Sequence, residues 1–306
     1  MSETTGNGSS GIRSLLVQHP LPDVTGLAPL SILDGDAPTV IEVADALNSP
    51  PADLFDVVDQ RGALVVRSGD GGFARDALRS VLGVGGELIQ SAAELGKAGQ
   101  SDFYQVVDRG MDINDPNVLF SATTLPIGFH SDGNEPDWVP GYFALYCQQT
   151  ASQGGESRLV DAAEAYARLL KVGEFNDLLS RDFFRDEILF GNSEHAAAMA
   201  VRSRHWPIFS EDLWGVGFTF RYTRRRLETG HERAGAPLTA KESAFLDVMD
   251  AQFATAGATF ALRQGDLLIV DNRRVAHDRL PYQDGQEKRS LLRAWIRRTP
   301  LQDANA

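Results

Sequence analysis

Two potential metal ligands stand two residues apart in the segment GFHSDGNEPDW, residues 128–138. In an extended backbone, side chains at positions i and i+2 project to the same face, so His130 and Asp132 could bind one metal ion from the same side. A surface loop in which a histidine and an aspartate occur together by chance would have the same local sequence. Residues elsewhere in the chain must decide between the two interpretations.

A third candidate ligand, His277, follows the apolar segment DLLIVDN (266–272), which is typical of a buried strand. Two histidines and one carboxylate on one side of a metal leave three adjacent coordination positions open, the arrangement of non-haem Fe(II) oxygenases. The spacing alone is weak support, because 6 histidines and 42 acidic residues make chance combinations common. A zinc hydrolase could use the same three ligands, with an activated water in the open position.

The segment RSLLRAWIRR (289–298) has the alternation of a strand whose two faces differ. One face is apolar throughout, and the other combines two arginines with two apolar residues, Arg289, Leu291, Arg293 and Trp295. A mixed face of this kind indicates a cavity wall, where an arginine can bind a carboxylate through two parallel hydrogen bonds. The alternative is an edge strand on which both arginines are exposed to water.

Short strands and a few helices would position these residues. The clearest helix is 238–257, which has a capping box at Thr239 and Glu242, an apolar stripe, and Gly257 as its expected stop. The other predicted elements are a helix–turn–strand at 54–69, a strand buried on both faces at 141–150, a strand followed by a helix at 157–170, and three strands at 258–263, 266–272 and 289–298. This order predicts a mainly β fold with inserted helices, in the form of a barrel or sandwich.

The composition is that of an ordinary globular protein of 306 residues, 42% hydrophobic and 23% charged. A formal charge of −13 argues against binding to nucleic acid or to an anionic membrane surface, and no apolar run is long enough to span a membrane. Residues 1–12 are predicted to be a disordered tail and residues 13–300 a single domain. Cys147 is the only cysteine and is expected to be buried, and the expected location is the cytoplasm.

Four motifs, taken in order, resemble the taurine dioxygenase-like family of Fe(II)- and 2-oxoglutarate-dependent oxygenases, which are related to clavaminate synthase. They are His130-Ser131-Asp132, SQGGES (152–157), DNRRVAH (271–277) and RSLLRAW (289–295). The resemblance covers roughly residues 118–298, and the first hundred residues match only loosely. It implies a double-stranded β-helix, or jelly roll, with Fe(II), 2-oxoglutarate and O2 as cofactor and co-substrates.

The resemblance also implies a metal-binding role for His130, Asp132 and His277. Halogenating relatives have a small residue in place of the carboxylate ligand, which leaves room for chloride. The presence of Asp132 therefore favours oxygenation and argues against halogenation.

Three further residues would bind 2-oxoglutarate if the resemblance holds. Ser157, directly after Gly-Gly-Glu, would hydrogen-bond a carboxylate of the co-substrate. Arg289 would bind the distal carboxylate, and Arg293 would bind the metal-proximal carboxylate or the substrate, although the two arginines could exchange roles.

The implied reaction is hydroxylation of an unactivated C–H bond of a small polar substrate, with release of succinate and CO2; desaturation and cyclisation are alternative outcomes. The expected substrate is an amino acid or a natural-product intermediate, as in secondary metabolism. Residues that could contact it are Tyr104, Phe120, Trp138, Arg221 and Arg293. Arg221 belongs to a segment with five arginines, FRYTRRRLETGHER (220–233), for which a solvated basic loop is the favoured prediction.

Two other classes of protein remain open. A zinc hydrolase would have no use for Ser157 or for the paired arginines of the last strand. A regulatory module that binds 2-oxoglutarate on the same barrel would produce no succinate. The remaining histidines that lack partners at ligand spacing are expected to be structural or exposed, and they are His195, His205 and His231.

Overall fold

The computed structural model describes residues 12–33, 37–43, 53–68, 72–89, 102–112, 120–133, 139–188, 201–211 and 218–298. The helices are α1 Leu54–Arg61, α2 Arg75–Gly83, α3 Ala162–Val172, α4 Asn176–Leu179, α5 Arg224–Arg233 and α6 Ala240–Ala256, with a 3-10 helix at Phe120–Ala122. The strands are β1 Val40–Val43, β2 Ala63–Ser68, β3 Gly86–Ile89, β4 Tyr104–Val107, β5 Tyr142–Gln149, β6 Gln153–Gly154, β7 Ser157–Asp161, β8 Asp182–Ile188, β9 Val201–Pro207, β10 Phe209–Ser210, β11 Thr219–Phe220, β12 Ala258–Phe260, β13 Asp266–Asp271, β14 Val275–Arg279, β15 Tyr282–Gln283 and β16 Ser290–Arg298.

The larger sheet has seven strands in the order β1-β2-β13-β5-β16-β3, and β4 also pairs with β16. Its pairs are antiparallel, except that β1 is parallel to β2. Phe143 and Ala144 of β5 are buried in different core clusters, on the two faces of the sheet. The prediction of a strand buried on both faces is confirmed for this part of β5.

A smaller sheet, in the order β12-β7-β14, faces the larger one across a shared apolar core. Phe143 and Trp295 of the larger sheet belong to this core together with Leu159 and Val275 of the smaller one. Burial of apolar side chains from two facing sheets is the main stabilising contribution in such a sandwich. The candidate metal ligands are His277 on β14, its backbone partner His130, and Asp132, which hydrogen-bonds Arg293 of β16.

Helices cover the outer faces of both sheets. Helices α1 and α2 pack on the larger sheet, and α3 and α6 pack on the smaller one. Helix α6 begins with the predicted capping box of Thr239 and Glu242, and its apolar stripe is buried, so this prediction is confirmed. Gly257 follows the helix with φ −66° and ψ 122°, an extended conformation.

The helix–turn–strand predicted at 54–69 is also confirmed, as α1 and β2. Gly62 joins them at φ 84°, in the left-handed region. A Cβ at this position would lie 2.7 Å from Leu30 Cδ1. Both the backbone conformation and the close contact therefore require glycine.

The prediction of a solvated basic loop at 220–233 is wrong. Residues 224–233 form α5, in which Arg226 and His231 are buried. The His231 ring accepts a hydrogen bond from the Phe184 N–H at 3.1 Å and donates one to the Ala236 carbonyl at 2.8 Å. Burial lowers the pKa of His231, so this histidine is a neutral structural residue.

Three predictions fall on residues outside the described ranges: the tail through residue 11, Trp138 and His195. Cys147 is buried as predicted, and burial raises the pKa of its thiol to about 11. Within the described part of the chain, no helix has the length and apolar character needed to cross a membrane.

Candidate metal centre

Backbone hydrogen bonds hold His130 beside His277. The N–H of each residue donates to the carbonyl of the other at 2.9 Å, and His130 also pairs with Thr223. The Nδ1 atom of His130 lies 2.9 Å from the Gly128 carbonyl, which can only accept a hydrogen bond. Nδ1 therefore carries the proton, and Nε2 keeps the lone pair that a metal ion requires.

His277 lies on β14 with its imidazole packed between two rings. The ring centroids of His130 and Phe143 are each 4.1 Å away. The Nδ1 atom of His277 is buried without a hydrogen-bond partner among the described residues, and its Nε2 lies 3.8 Å from Asp132 Oδ1. Burial, with a smaller contribution from the neighbouring His130, lowers the pKa of His277 well below its usual value. The neutral ring is therefore able to bind a cation.

Asp132 completes the group of three. Its Oδ1 lies 3.9 Å from His130 Nε2, and one ligand atom from each of the three residues lies within 4.8 Å of the others. Burial alone would raise the pKa of Asp132, but the positive charge of Arg293 and the hydrogen bond from Trp295 favour the charged form and the pKa is lowered, so the carboxylate is ionised. An ionised carboxylate and two imidazole nitrogens, brought to one side, fit a divalent iron or zinc ion.

Asn272 fixes the main chain at Asp132. Its side-chain oxygen accepts from the Asp132 N–H at 2.8 Å, and its amide group donates to the carbonyls of Asp132 and Pro140 at 3.0 Å each. Gly133 follows at φ 84°, where a Cβ would lie 2.4 Å from Pro140 Cδ. Asn272 lies within the DNRRVAH motif, but sequence reasoning gave it no role.

Two side chains of β16 hydrogen-bond the Asp132 carboxylate. Arg293 Nη1 donates to Oδ1 at 3.2 Å, and Trp295 Nε1 donates to Oδ2 at 2.8 Å. The Arg293 guanidinium lies 5.0 Å from the ring centroid of Tyr104 and 4.8 Å from that of Trp295, within the range of cation–π attraction. Sequence reasoning placed Arg293 and Trp295 on one face of the strand, but it missed the hydrogen bond from Trp295 to Asp132.

A second basic group surrounds Tyr282. Arg289 is buried, and its guanidinium lies 5.1 Å from the Tyr282 ring centroid. The guanidinium of Arg279 stacks on the same ring at 4.9 Å, and Arg279 lies opposite Ser157 in the antiparallel pairing of β14 with β7. The structure therefore brings Ser157 and Arg289, two of the three residues predicted to bind 2-oxoglutarate, next to Arg279 and Tyr282. Sequence reasoning missed Arg279, although it stands only two residues after His277.

The residues predicted to contact the substrate have different surroundings. Tyr104 lies beside Arg293, and its hydroxyl group is buried without a hydrogen-bond partner among the described residues. Arg221 is buried and stacks on Trp206 at 5.1 Å. Phe120 begins the 3-10 helix, and its side chain, like the whole of Trp138, is outside the description. Tyr104, unlike Arg221, has a direct contact to a side chain that hydrogen-bonds Asp132.

Known proteins resemble this chain in sequence. Residues 33–295 match the family described as "Taurine catabolism dioxygenase TauD, TfdA family". The gamma-butyrobetaine dioxygenases of Homo sapiens and Pongo abelii are each 27% identical over 187 residues, which are 60% of this chain and 46% of theirs. The match thus spans about half the length of these curated relatives.

Solved structures share the fold at low sequence identity. AAD-2 in complex with Mn(II) and N-oxalylglycine has a TM-score of 0.62 and 16% identity, and the match covers 87% of this chain and 96% of that one. Asparagine oxygenase in complex with Fe(II), 2S,3S-3-hydroxyasparagine and succinate has a TM-score of 0.55 and 19% identity, with 77% and 74% covered. The mainly β, double-stranded β-helix predicted from the sequence is confirmed. Because the family match extends over most of the chain, this protein belongs to the TauD/TfdA family.

Proposed function

We propose that this protein is an Fe(II)- and 2-oxoglutarate-dependent oxygenase that hydroxylates an unactivated C–H bond of a small polar substrate. The observation that carries the proposal is the convergence of His130, Asp132 and His277 at one point between the two sheets. In the overall reaction, substrate R–H, 2-oxoglutarate and O2 become R–OH, succinate and CO2. Bound iron would supply the activation of O2 that this oxidation requires.

The chain's own residues bind and orient the reactants. Ser157 and Arg289 bind the 2-oxo acid, because a buried hydroxyl and a buried guanidinium face the same region, close to the strand that carries His277. Arg293, stacked between two aromatic rings beside Asp132, is the residue placed to hold an anionic group of the substrate near the metal.

The substrate class that we infer is an amino acid or an amino-acid-derived natural-product intermediate. It is supported by the carboxylate-binding potential of Arg293, and by the asparagine oxygenase relative with bound 3-hydroxyasparagine. We further propose that the protein acts in the cytoplasm and in secondary metabolism, and that residues 13–300 form a single domain. A zinc hydrolase is disfavoured, because it would not need the basic group around Tyr282.

An anaerobic titration tests the proposal. Metal-free protein receives Fe(II) and then 2-oxoglutarate, and the visible charge-transfer band of a chelated 2-oxo acid is recorded. We expect the band in the wild type, its loss in His130→Ala, and its retention in His205→Ala, whose side chain instead hydrogen-bonds Asp182 at 2.6 Å. Absence of the band from wild-type protein with Fe(II) demonstrably bound would overturn the proposal in favour of zinc-dependent hydrolysis.

A further inference from the structure

One arginine of the smaller sheet contacts the sequence neighbours of both histidine ligands. Arg158 of β7 lies opposite Asp278 of β14 in the antiparallel ladder. Asp278 directly follows His277, and because side chains alternate along a strand, these two project to opposite faces of the sheet. The guanidinium of Arg158 also lies 4.7 Å from the ring centroid of Phe129, which directly precedes His130. One side chain thus contacts both segments that carry a histidine ligand.

The ion pair between Arg158 and Asp278 is largely buried. The side chain of Asp278 is 0% exposed and that of Arg158 is 22% exposed. Arg158 donates to Asp278 Oδ2 from Nε at 3.1 Å and also from Nη2, while Oδ1 accepts from the backbone N–H of Arg279 at 2.7 Å. A buried carboxylate that is bonded at both oxygens cannot move without losing hydrogen bonds that water does not replace. The ion pair therefore fixes the main chain at Asp278, whose Cα is about 3.8 Å from that of His277.

Phe129 is held between Arg158 and helix α6. Its ring is buried and packs on Phe253 of α6 with a centroid distance of 5.8 Å. The guanidinium of Arg158 is close enough to this ring for cation–π attraction, which strengthens as water is excluded. Because Phe129 and His130 share a peptide bond, a fixed Phe129 ring limits how far the main chain of His130 can move.

The link through Arg158 supplements a single backbone bridge. The main chains of His130 and His277 are joined by one isolated pair of hydrogen bonds, and a single bridge leaves the two segments able to rotate about it. A metal-bound histidine usually donates its second ring N–H to a group that orients the ring, but Nδ1 of His277 has no hydrogen-bond partner among the described residues. The orientation of His277 therefore depends on how firmly its main chain is held.

We propose that Arg158 is a positioning residue of the metal centre, which acts through Asp278 and Phe129 on the segments that carry His277 and His130. This inference rests on the proposed function and adds to it a residue that does not touch the metal position. An arginine suits the role because its guanidinium is planar, so one edge can donate to a carboxylate while the face stacks on an aromatic ring. The charge of a lysine can neutralise Asp278, but its ammonium group has no such face.

The test measures metal binding separately from stability. Metal-free protein is titrated anaerobically with Fe(II) by calorimetry and with Co(II), whose visible absorption depends on coordination geometry, and urea unfolding reports stability. We expect Arg158→Gln to lower the affinity for Fe(II) by about 10- to 100-fold, as is typical when a group that orients a ligand is lost, and to change the Co(II) spectrum. Arg158→Lys, which keeps the charge beside Asp278, should lose less affinity.

Arg274→Gln is the matched control. Arg274 forms a similar ion pair with the buried carboxylate of Asp161, from Nε at 3.1 Å and from Nη2 at 2.7 Å, and Asp161 belongs to the same strand as Arg158. Neither member of this pair is adjacent in sequence to a metal ligand. The control should lower the urea midpoint as Arg158→Gln does, but keep the Co(II) spectrum and leave the Fe(II) affinity within about twofold of the wild type.

The possible outcomes distinguish a positioning role from a structural one. A wild-type Fe(II) affinity and Co(II) spectrum in Arg158→Gln, at lowered stability, would overturn the inference. If Arg158→Gln does not fold, Arg158→Lys is combined with Phe129→Leu, which removes the flat ring. Because both changes remove the same contact, their effects on Fe(II) affinity should be less than additive, and full additivity would overturn the inference. Equal Fe(II) affinity of the wild type and His130→Ala would instead defeat the proposed function itself.

Discussion

Replacing Trp295 by phenylalanine would remove one hydrogen bond to the candidate ligand Asp132 while keeping an aromatic ring in the core. The indole Nε1 donates to Asp132 Oδ2 at 2.8 Å, and both residues are buried. The other oxygen, Oδ1, faces the Nε2 atoms of His130 and His277. The indole N–H therefore determines which carboxylate oxygen points at the metal position.

Two quantities should change in Trp295→Phe. The free energy of unfolding of the metal-free protein should fall by about 1.5–3 kcal/mol, the usual contribution of a hydrogen bond to a charged group. The affinity for metal should fall by about 10- to 100-fold, which is typical when a group that orients a ligand is lost. Without the indole, Asp132 can turn both oxygens toward Arg293, which then competes with the metal ion.

The assay is an anaerobic calorimetric titration of metal-free protein with Fe(II), together with urea unfolding. Tyr142→Phe is the matched control, because the Tyr142 hydroxyl donates to Asp59 at 2.8 Å and the ring packs in the core on the outer face of the larger sheet. The control should lose stability but bind Fe(II) as the wild type does. Wild-type stability and wild-type metal affinity in Trp295→Phe would refute the reasoning.

Two further predictions concern groups that hold the fold and the site together. Burial alone would raise the pKa of Glu242, but hydrogen bonds from Arg13, a backbone N–H and Arg181 lower it to about 2. A carboxyl group whose pKa is lower in the folded than in the unfolded protein stabilises the fold at a pH above its unfolded pKa of 4.5, and this stabilisation is lost as the pH falls toward its folded pKa. Glu242→Gln should therefore lower the free energy of unfolding by roughly 3 kcal/mol at pH 7. The difference from wild type should shrink steadily toward pH 3 in urea unfolding, and a constant difference would contradict it. Asn272→Ala removes three buried hydrogen bonds, two of them to the backbone of Asp132. It should lower the free energy of unfolding by about 3 kcal/mol and weaken Fe(II) binding in the calorimetric titration. A wild-type free energy of unfolding together with wild-type Fe(II) affinity would contradict this role of Asn272.

The features predicted correctly from the sequence are those that depend on residues close together in the chain. His130 and Asp132 came from the period of two in an extended backbone, and the face of β16 came from the same rule. The helix at 238–257 came from its capping box and stripe, which are also local patterns. The same rule applied to His277 would have selected Arg279, so the signal for this residue was present in the sequence.

Other contacts depend on residues far apart in the chain. The bonds from Asn272 and Trp295 to Asp132 span 140 and 163 positions, and no periodicity predicts the direction of an indole N–H. The segment 220–233 was misjudged for a different reason. Its arginines suggested exposure, yet Gly230 packs so closely that a Cβ would lie 2.3 Å from the Arg185 backbone, and α5 is held against β8. Charge counts do not reveal a helix whose glycine permits such an approach.

Net charge and local charge point in opposite directions in this protein. The formal charge of −13 disfavours extended anionic partners, yet Arg279, Arg289 and Arg293 converge around the region of the candidate site. Exposed charges are screened beyond about 8–10 Å at physiological salt, whereas buried guanidiniums are screened much less. Their local field therefore favours small anions. Because a cation at Asp132 Oδ1 would compete with Arg293 for that oxygen, loading the metal would free Arg293, still stacked between two rings, to bind an anionic group of the substrate.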